Sequence, residues 1–400
     1  MNIVFVSYHY WPPHFGGELL LSIERFESLV QRGYKVIVLT SGVPSSSKSE
    51  TKNGIEIFRC PLIHDSKFGR GLRRLYFPIW VLSKMKEFDF DILHLSSGGG
   101  VELVTGSIAN WVISSAAKKK GAKIVYVHSL ADTETEMFSE RGFSGTLRNS
   151  YLSKTDAIIS VSPALHHDVN KYYPAQSRCI PNCVRNDIFV PLSEEEREIE
   201  RTNNSLAQDQ VVFTFLGSLS NRKGIDLLIN AFLNLYPKYP NWKLWLIGPY
   251  NHSDNQNLQI DGFGNLLNEV RQRPYEIRLW GRINDRKELS NLLSISDVFV
   301  FPTRKEGLPL APLEAMSTGI PVIISRIPGV TDLANVEGET GLYSQVGDLA
   351  SLEIAMETLG NNKEMRRKMG ASASRLINEN FSWKKFIDQW EHLYLSLMNN

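Results

Sequence analysis

The chain has 400 residues, too many for one ordinary hydrophobic core and suited to two domains of roughly 200 residues each. With 42% hydrophobic and 22% charged residues it is a globular sequence; its net charge of +1 provides no global field for nucleic acid, although residues 1–190 carry net +5 and the remainder net −4. Three cysteines, Cys60, Cys179 and Cys183, argue against a disulfide framework, and Cys179 and Cys183 have no Cys or His partners at zinc-ligand spacing. The N-terminus enters a strand without a basic n-region or a long apolar h-region, and no stretch approaches the roughly 18 consecutive apolar residues of a spanning helix. A cytoplasmic protein is expected, free or attached to the membrane from its inner face.

Short apolar runs alternate with helical patterns, the signature of parallel strands joined by crossover helices. In the first half the predicted strands are 3–7, 35–40, 55–59, 92–95, 123–127 and 157–161. After the first strand, residues 8–15 lead to Gly16-Gly17 and a helix over 19–31, which stops at Gly33. Paired glycines before a helix let backbone approach an anion closely, or are simply loop geometry.

Residues 67–80 interleave Lys67, Arg70, Arg73 and Arg74 with Phe68, Leu72, Leu75, Tyr76, Phe77, Ile79 and Trp80. Two readings stay open: a helix lying at an anionic membrane or against a lipid-linked acceptor, or a packed helix with solvated arginines. Asp89-Phe-Asp91 has the spacing of a divalent-metal pair but precedes a strand as an ordinary loop. His128 ends strand 123–127 at its carboxyl end, where open sheets bind ligands; it either faces a ligand or is a satisfied structural histidine. Residues 193–210, with Glu194-Glu-Glu-Arg-Glu198, Asn203, Asn204, Ser205 and Gln208, have little to bury and read as a linker.

The second half repeats the arrangement with strands 211–216, 243–247, 277–280, 298–301 and 322–325, so two Rossmann-like units are expected. The loop after its first strand reads Gly217-Ser-Leu-Ser-Asn-Arg222-Lys223-Gly224 and opens a helix at Ile225. Gly281-Arg282-Ile283 follows the third strand. After the fourth comes Glu306-Gly-Leu-Pro-Leu-Ala-Pro-Leu-Glu314, a loop that turns into a helix N-terminus. Its backbone N–H groups at Gly307, Leu308 and Leu310 form a place for an anion, whereas Pro309 has none to offer. Each carboxylate is able to accept a pair of sugar hydroxyls, so a polyol joined to a phosphate would satisfy both halves of the stretch. Gly319-Ile-Pro-Val-Ile-Ile-Ser325, Pro328-Gly329 and Gly338-Glu-Thr-Gly341-Leu continue the pattern, and residues 383–397 place Trp383, Phe386, Ile387, Trp390, Leu393, Tyr394 and Leu397 on one helical face.

Spread over about fifty residues, this series closely resembles the E-x7-E signature of the retaining glycosyltransferases of family 4, glycosyl transferases group 1. The resemblance implies an α/β fold of the GT-B type, two Rossmann-like doubly wound domains facing a central cleft. It divides the chain into an acceptor-binding domain over 1–190, a linker over 191–210, a nucleotide-sugar-binding domain over 211–383, and a final helix over 384–400 that packs back on the first domain.

By resemblance, Glu306 holds the donor sugar and Glu314 its ribose, while Lys223, with Arg222, stabilises the leaving diphosphate. Gly16-Gly17 gives a second phosphate contact, and the backbone of Gly281, Arg282 and Ile283 reads the nucleobase. Gly307, Leu308 and Leu310 complete the donor site, and His128 lines the acceptor side. The diphosphate itself takes the acceptor proton, so no protein nucleophile is expected; no metal is expected because the cationic work falls to Lys223 and helix N-termini, and Asp91-Ile-Leu-His94 fits the family's non-metal pattern. Two departures are visible: Ser218 stands where the family has an arginine, and Pro309 where many relatives have glycine. The implied donor is a nucleotide sugar, most often UDP-linked, and the acceptor a carbohydrate or lipid-linked glycan in surface polysaccharide or glycolipid assembly. The rival readings are a nucleotide-sugar epimerase and a non-catalytic nucleotide-sugar-binding subunit.

Overall fold

The computed structural model describes residues 1–8, 10, 17–42, 47–61, 67–96, 104–129, 143–249, 263–327 and 337–399. They form two compact units, Met1–Pro181 with Phe386–Asn400, and Asn182–Lys385. Gly16 and the Pro328-Gly329 pair lie outside the described residues.

The first unit contains β1 (Asn2–Ser7), α1 (Gly17–Gln31), β2 (Lys35–Ser41), β3 (Ser49–Lys52), β4 (Ile55–Cys60), α2 (Lys67–Met85), β5 (Ile92–Ser96), α3 (Val104–Lys119), β6 (Lys123–His128), α4 (Phe143–Leu152), β7 (Ala157–Ser160), α5 (Pro163–Tyr172) and β8 (Ser177–Cys179). Its sheet runs β3-β4-β2-β1-β5-β6-β7-β8, parallel throughout except for the β3/β4 hairpin. β1, β5 and β6 read as continuous apolar runs because crossover helices cover both faces of such a sheet.

The second unit contains α6 (Glu194–Asn203), β9 (Val211–Leu216), α7 (Ile225–Leu235), β10 (Trp242–Ile247), α8 (Phe263–Arg271), β11 (Ile277–Gly281), α9 (Arg286–Ser294), β12 (Val298–Phe301), α10 (Leu310–Ser317), β13 (Val322–Ser325), β14 (Gly341–Ser344), α11 (Leu349–Gly360), α12 (Lys363–Asn380) and the start of α13 (Trp383–Asn399). Its order, β11-β10-β9-β12-β13-β14, is the doubly wound one, with the direction of winding reversing between β9 and β12.

The stretch expected as a linker is instead a capped helix of the second unit. Ser193 and Glu196 form a reciprocal capping box at the start of α6. Arg201 reaches the Ile295 carbonyl at 2.8 Å and Asp297 at 3.0 Å, and Arg197 also meets Asp297 at 3.0 Å. Two arginines of this segment are therefore partners of the loop before β12, and the division of the chain falls at Pro181.

An aspartate immediately before a strand recurs as a structural device. Asp91 accepts from Asn2 N at 2.7 Å, Asp156 from Ile124 N at 2.7 Å, and Asp297 from Val212 N at 2.8 Å. Asn2 opens β1, while Ile124 and Val212 are the second residues of β6 and β9, so each aspartate satisfies an amide at the start of a neighbouring strand. That contact explains Asp91, the residue with apparent metal spacing.

In the first unit the last helix closes over a buried polar cluster. Arg25 Nη2 lies 3.1 Å from His94 Nε2, and His94 Nδ1 lies 3.0 Å from the Tyr394 hydroxyl. A guanidinium has only donors, so Nε2 accepts and Nδ1–H donates to Tyr394. The Arg25 guanidinium also sits 4.0 Å above the Trp390 ring, and Arg32 pairs with Asp388 at 2.7 Å and Glu391 at 2.5 Å.

Burial, reinforced by the Arg25 charge, holds His94 well below its ordinary pKa and therefore neutral. Below about pH 6.5 the unfolded chain binds a proton that the folded state refuses, so stability falls with pH by up to about 1.4 kcal/mol per unit. Thermal unfolding at about pH 7.5 and about pH 5.5 is expected to show this slope in the wild type and a shallower one in His94→Gln. Equal slopes would contradict the assignment.

Candidate functional site in the second unit

Open α/β sheets bind ligands at the carboxyl ends of their strands where the winding reverses. In the second unit that point lies between β9 and β12, and the loops leaving these strands carry Lys223 and Glu306. Tight backbone contact holds the loops together. Gly224 has φ 70°, and a Cβ placed on it would lie 1.8 Å from the Pro302 carbonyl oxygen, so this position demands glycine. Asn221–Lys223 form a short 3-10 turn just before it.

Both cations of that turn converge on one carboxylate oxygen. Lys223 Nζ is 2.5 Å and Arg222 Nη1 2.7 Å from Glu306 Oε1, with Thr303 Oγ1 3.2 Å from the same atom. Arg222 also donates to the Lys305 carbonyl at 2.9 Å, while its own carbonyl accepts from Arg304 N at 2.8 Å. Arg304 in turn holds Asp226 in α7 through two bonds of 2.7 and 2.8 Å. Turn, loop and helix are thus one hydrogen-bonded body.

The Lys223 and Glu306 side chains are 14% and 9% exposed, and the ammonium lies 4.9 Å from the Phe301 ring centroid. Burial lowers the Lys223 pKa from the usual lysine value, with the Glu306 charge opposing that shift and Arg222 adding to it. Two cations beside a carboxylate at a sheet's ligand-binding end are suited to meet phosphate charge and a polyol together.

The second carboxylate enters from α10. Pro309 occupies the N-cap of that helix, and the loop is tied at Leu308, whose carbonyl accepts from Asn182 Nδ2 at 2.7 Å. Glu314, in the second turn, is 4% exposed and takes a 2.6 Å bond from Arg286 Nη1 on α9. Arg286 is a candidate site residue that has no signal in the sequence motif. Gly307 and Leu308 are buried, and Leu310 is the first residue of α10. Gly281 ends β11 with φ 69°, and its carbonyl accepts from Gly248 N at 2.8 Å; Arg282 beyond it is exposed and Ile283 half-buried.

The second unit therefore brings together Arg222, Lys223, Glu306, Gly307, Leu308, Leu310 and Glu314 around α10 and its preceding loop. Gly281, Arg282 and Ile283 also belong to the second unit, whereas Gly17 and His128 belong to the first. Gly17 opens α1 and is exposed; His128 ends β6 in register with Ser160 and is fully enclosed. Arg70, Arg73 and Arg74 lie where only the backbone of α2 is described.

Residues 196–376 match the family described as Glycosyl transferases group 1, and residues 24–187 match Glycosyltransferase Family 4. Among curated proteins, the UDP-Gal:alpha-D-GlcNAc-diphosphoundecaprenol alpha-1,3-galactosyltransferase of Escherichia coli is 26% identical over 336 residues, covering 80% of this chain and 79% of its own. Among solved structures, sucrose-phosphate synthase from Thermosynechococcus elongatus superposes with a TM-score of 0.83 at 21% identity, covering 100% of this chain and 99% of the other. HepE of Anabaena, solved in complex with UDP-glucose, gives 0.73 at 16% identity, covering 99% of this chain and 100% of the other.

Proposed function

The chain belongs to the family-4 glycosyltransferases of the GT-B fold, and we propose that it transfers a sugar from a nucleotide-sugar donor, UDP-linked, with retention of anomeric configuration. The observation that carries this reading is the convergence of Lys223 and Arg222 on Glu306 at the winding reversal, with Glu314 further along the same segment. A leaving diphosphate gains charge as the glycosidic bond breaks, and Lys223 and Arg222 meet that charge without reorganisation. Arg222 takes over the task of the family arginine absent at Ser218, since its guanidinium binds phosphate oxygens as a fork. Glu306 holds the sugar hydroxyls and Glu314 the ribose diol, with Gly281, Arg282 and Ile283 along the base. His128, at the carboxyl end of β6, serves the acceptor side.

The UDP assignment draws support from the UDP-glucose complex of the structural neighbour and the UDP-Gal donor named for the Escherichia coli relative. A thermal-shift panel of UDP-, ADP- and GDP-sugars tests it: a ligand at 100 times its Kd adds about 2.7 kcal/mol. The UDP-sugars should give the largest shift, and turnover should persist in EDTA because the cationic work falls to side chains. A shift with ADP- or GDP-sugars alone would move the donor assignment. Isomerisation of the sugar with donor alone would mark an epimerase instead.

The acceptor is proposed to be a lipid-linked or polysaccharide glycan, approached through α2 at an anionic membrane surface. Among the described residues no helix is long and apolar enough to cross a membrane. α2 does expose Tyr76 and Ile79, at 39% and 63%, beyond its basic first half. Changing Arg70, Arg73 and Arg74 to glutamine should weaken co-sedimentation with anionic liposomes, each arginine contributing about 1 kcal/mol, with the difference shrinking at high salt. Equal sedimentation of wild type and variant would assign these arginines to solvent.

A further inference from the structure

Arg286 occupies a place that local physics disfavours. It is the first residue of α9 after the Asp285 N-cap, followed by Lys287, so two cations stand at the end of the helix where its dipole favours anions. Position alone offers Arg286 no stabilisation; the gain lies in its contacts. One guanidinium nitrogen is bonded to Glu314 Oε1 at 2.6 Å, and the group lies 4.6 Å from the centroid of the fully buried Phe189 ring. Its charge also lowers the pKa of Asp187, after the larger effects of the Arg185 bond and charge. Glu314 and Arg286 side chains are 5% and 19% exposed, so this is a largely desolvated pair.

Building on the reading of Glu314 as the ribose ligand, we propose that Arg286 is a positioning residue for nucleoside recognition. A carboxylate with one oxygen held by a guanidinium presents its other oxygen in a fixed direction, as recognition of a vicinal diol requires. The 2.6 Å bond from Arg286 fixes the rotation of the Glu314 carboxylate through Oε1, so that the second oxygen serves the ribose hydroxyls. Phe189 restricts the guanidinium to that orientation, which an ammonium on a flexible stem reproduces only in part.

The test measures binding of UDP, ADP and GDP, each against its 2′-deoxy form, by calorimetry on wild type, Arg286→Gln and Arg286→Lys, with thermal unfolding of all three. For the nucleotide that wild type prefers, loss of the 2′-hydroxyl is expected to cost about tenfold in Kd, in the range of one hydrogen bond to a charged group. The penalty should fall below about threefold in Arg286→Gln and be partly restored in Arg286→Lys. Because the penalty is a ratio within each folded variant, a merely structural role would lower the melting temperature and leave it unchanged. Equal penalties in wild type and Arg286→Gln would overturn the inference while leaving the ribose role of Glu314 intact. A wild type indifferent to the 2′-hydroxyl, or binding none of the nucleotides, would overturn that role and the inference with it.

Discussion

Replacing Lys223 by methionine is expected to lower turnover by about 10²- to 10³-fold, the range for losing one preorganised contact to transition-state charge. Methionine keeps the apolar stem beside Phe301 and removes only the ammonium, so the turn before Gly224 should stay folded. The loss should reside mainly in kcat, because the diphosphate needs the cation most as the bond to the sugar breaks. Nucleoside diphosphate should bind more weakly and nucleoside without phosphate equally well. Steady-state kinetics with the preferred donor, together with calorimetry of both ligands, decides this; an unchanged kcat would remove Lys223 from the chemistry.

Glu306→Gln should reduce turnover by about 10²-fold or more while leaving nucleoside diphosphate affinity undiminished. The amide oxygen is able to accept from Lys223, Arg222 and Thr303 as Oε1 does, so the loop should keep its shape. What changes is the charge: the carboxylate that neutralises the two cations is gone, and they attract phosphate more strongly. A carboxylate that served only to compensate Lys223 would give a variant with tighter nucleotide binding and normal turnover, and that outcome would sink the sugar-holding role. The two substitutions thus act in opposite directions on nucleotide affinity and in the same direction on rate.

These contacts were unevenly legible in the chain. Strands β9, β12 and β13 coincide with the apolar runs 211–216, 298–301 and 322–325, because buried parallel strands leave an uninterrupted hydrophobic record. The hairpin strand β3, Ser-Glu-Thr-Lys with alternating exposure, leaves none, and neither does the short β8. α6 was misread as a linker on the strength of its charges, although Ser193 and Glu196 already spelled a capping box. Its anchor to Asp297, 96 residues from Arg201, has no local signal.

The same distinction holds in the site. Glu306, Glu314 and Lys223 are legible as candidates because their spacing belongs to a family pattern, and the structure adds that Glu306 is the shared counter-ion of Arg222 and Lys223. Arg286 pairs with a residue 28 positions away, and the hint was a basic pair at a helix start, read against the dipole. His128 is expected in the site from its place at a strand end, and it is fully enclosed there.

The measurement that bears most directly on the account is proton NMR of the anomeric signals while the protein turns over its preferred nucleotide sugar with a glycan acceptor in EDTA. Release of nucleoside diphosphate is expected to be stoichiometric and the new linkage to have the anomeric configuration of the donor, with Lys223→Met and Glu306→Gln both nearly silent. A product of inverted configuration, or full activity in either variant, would contradict it.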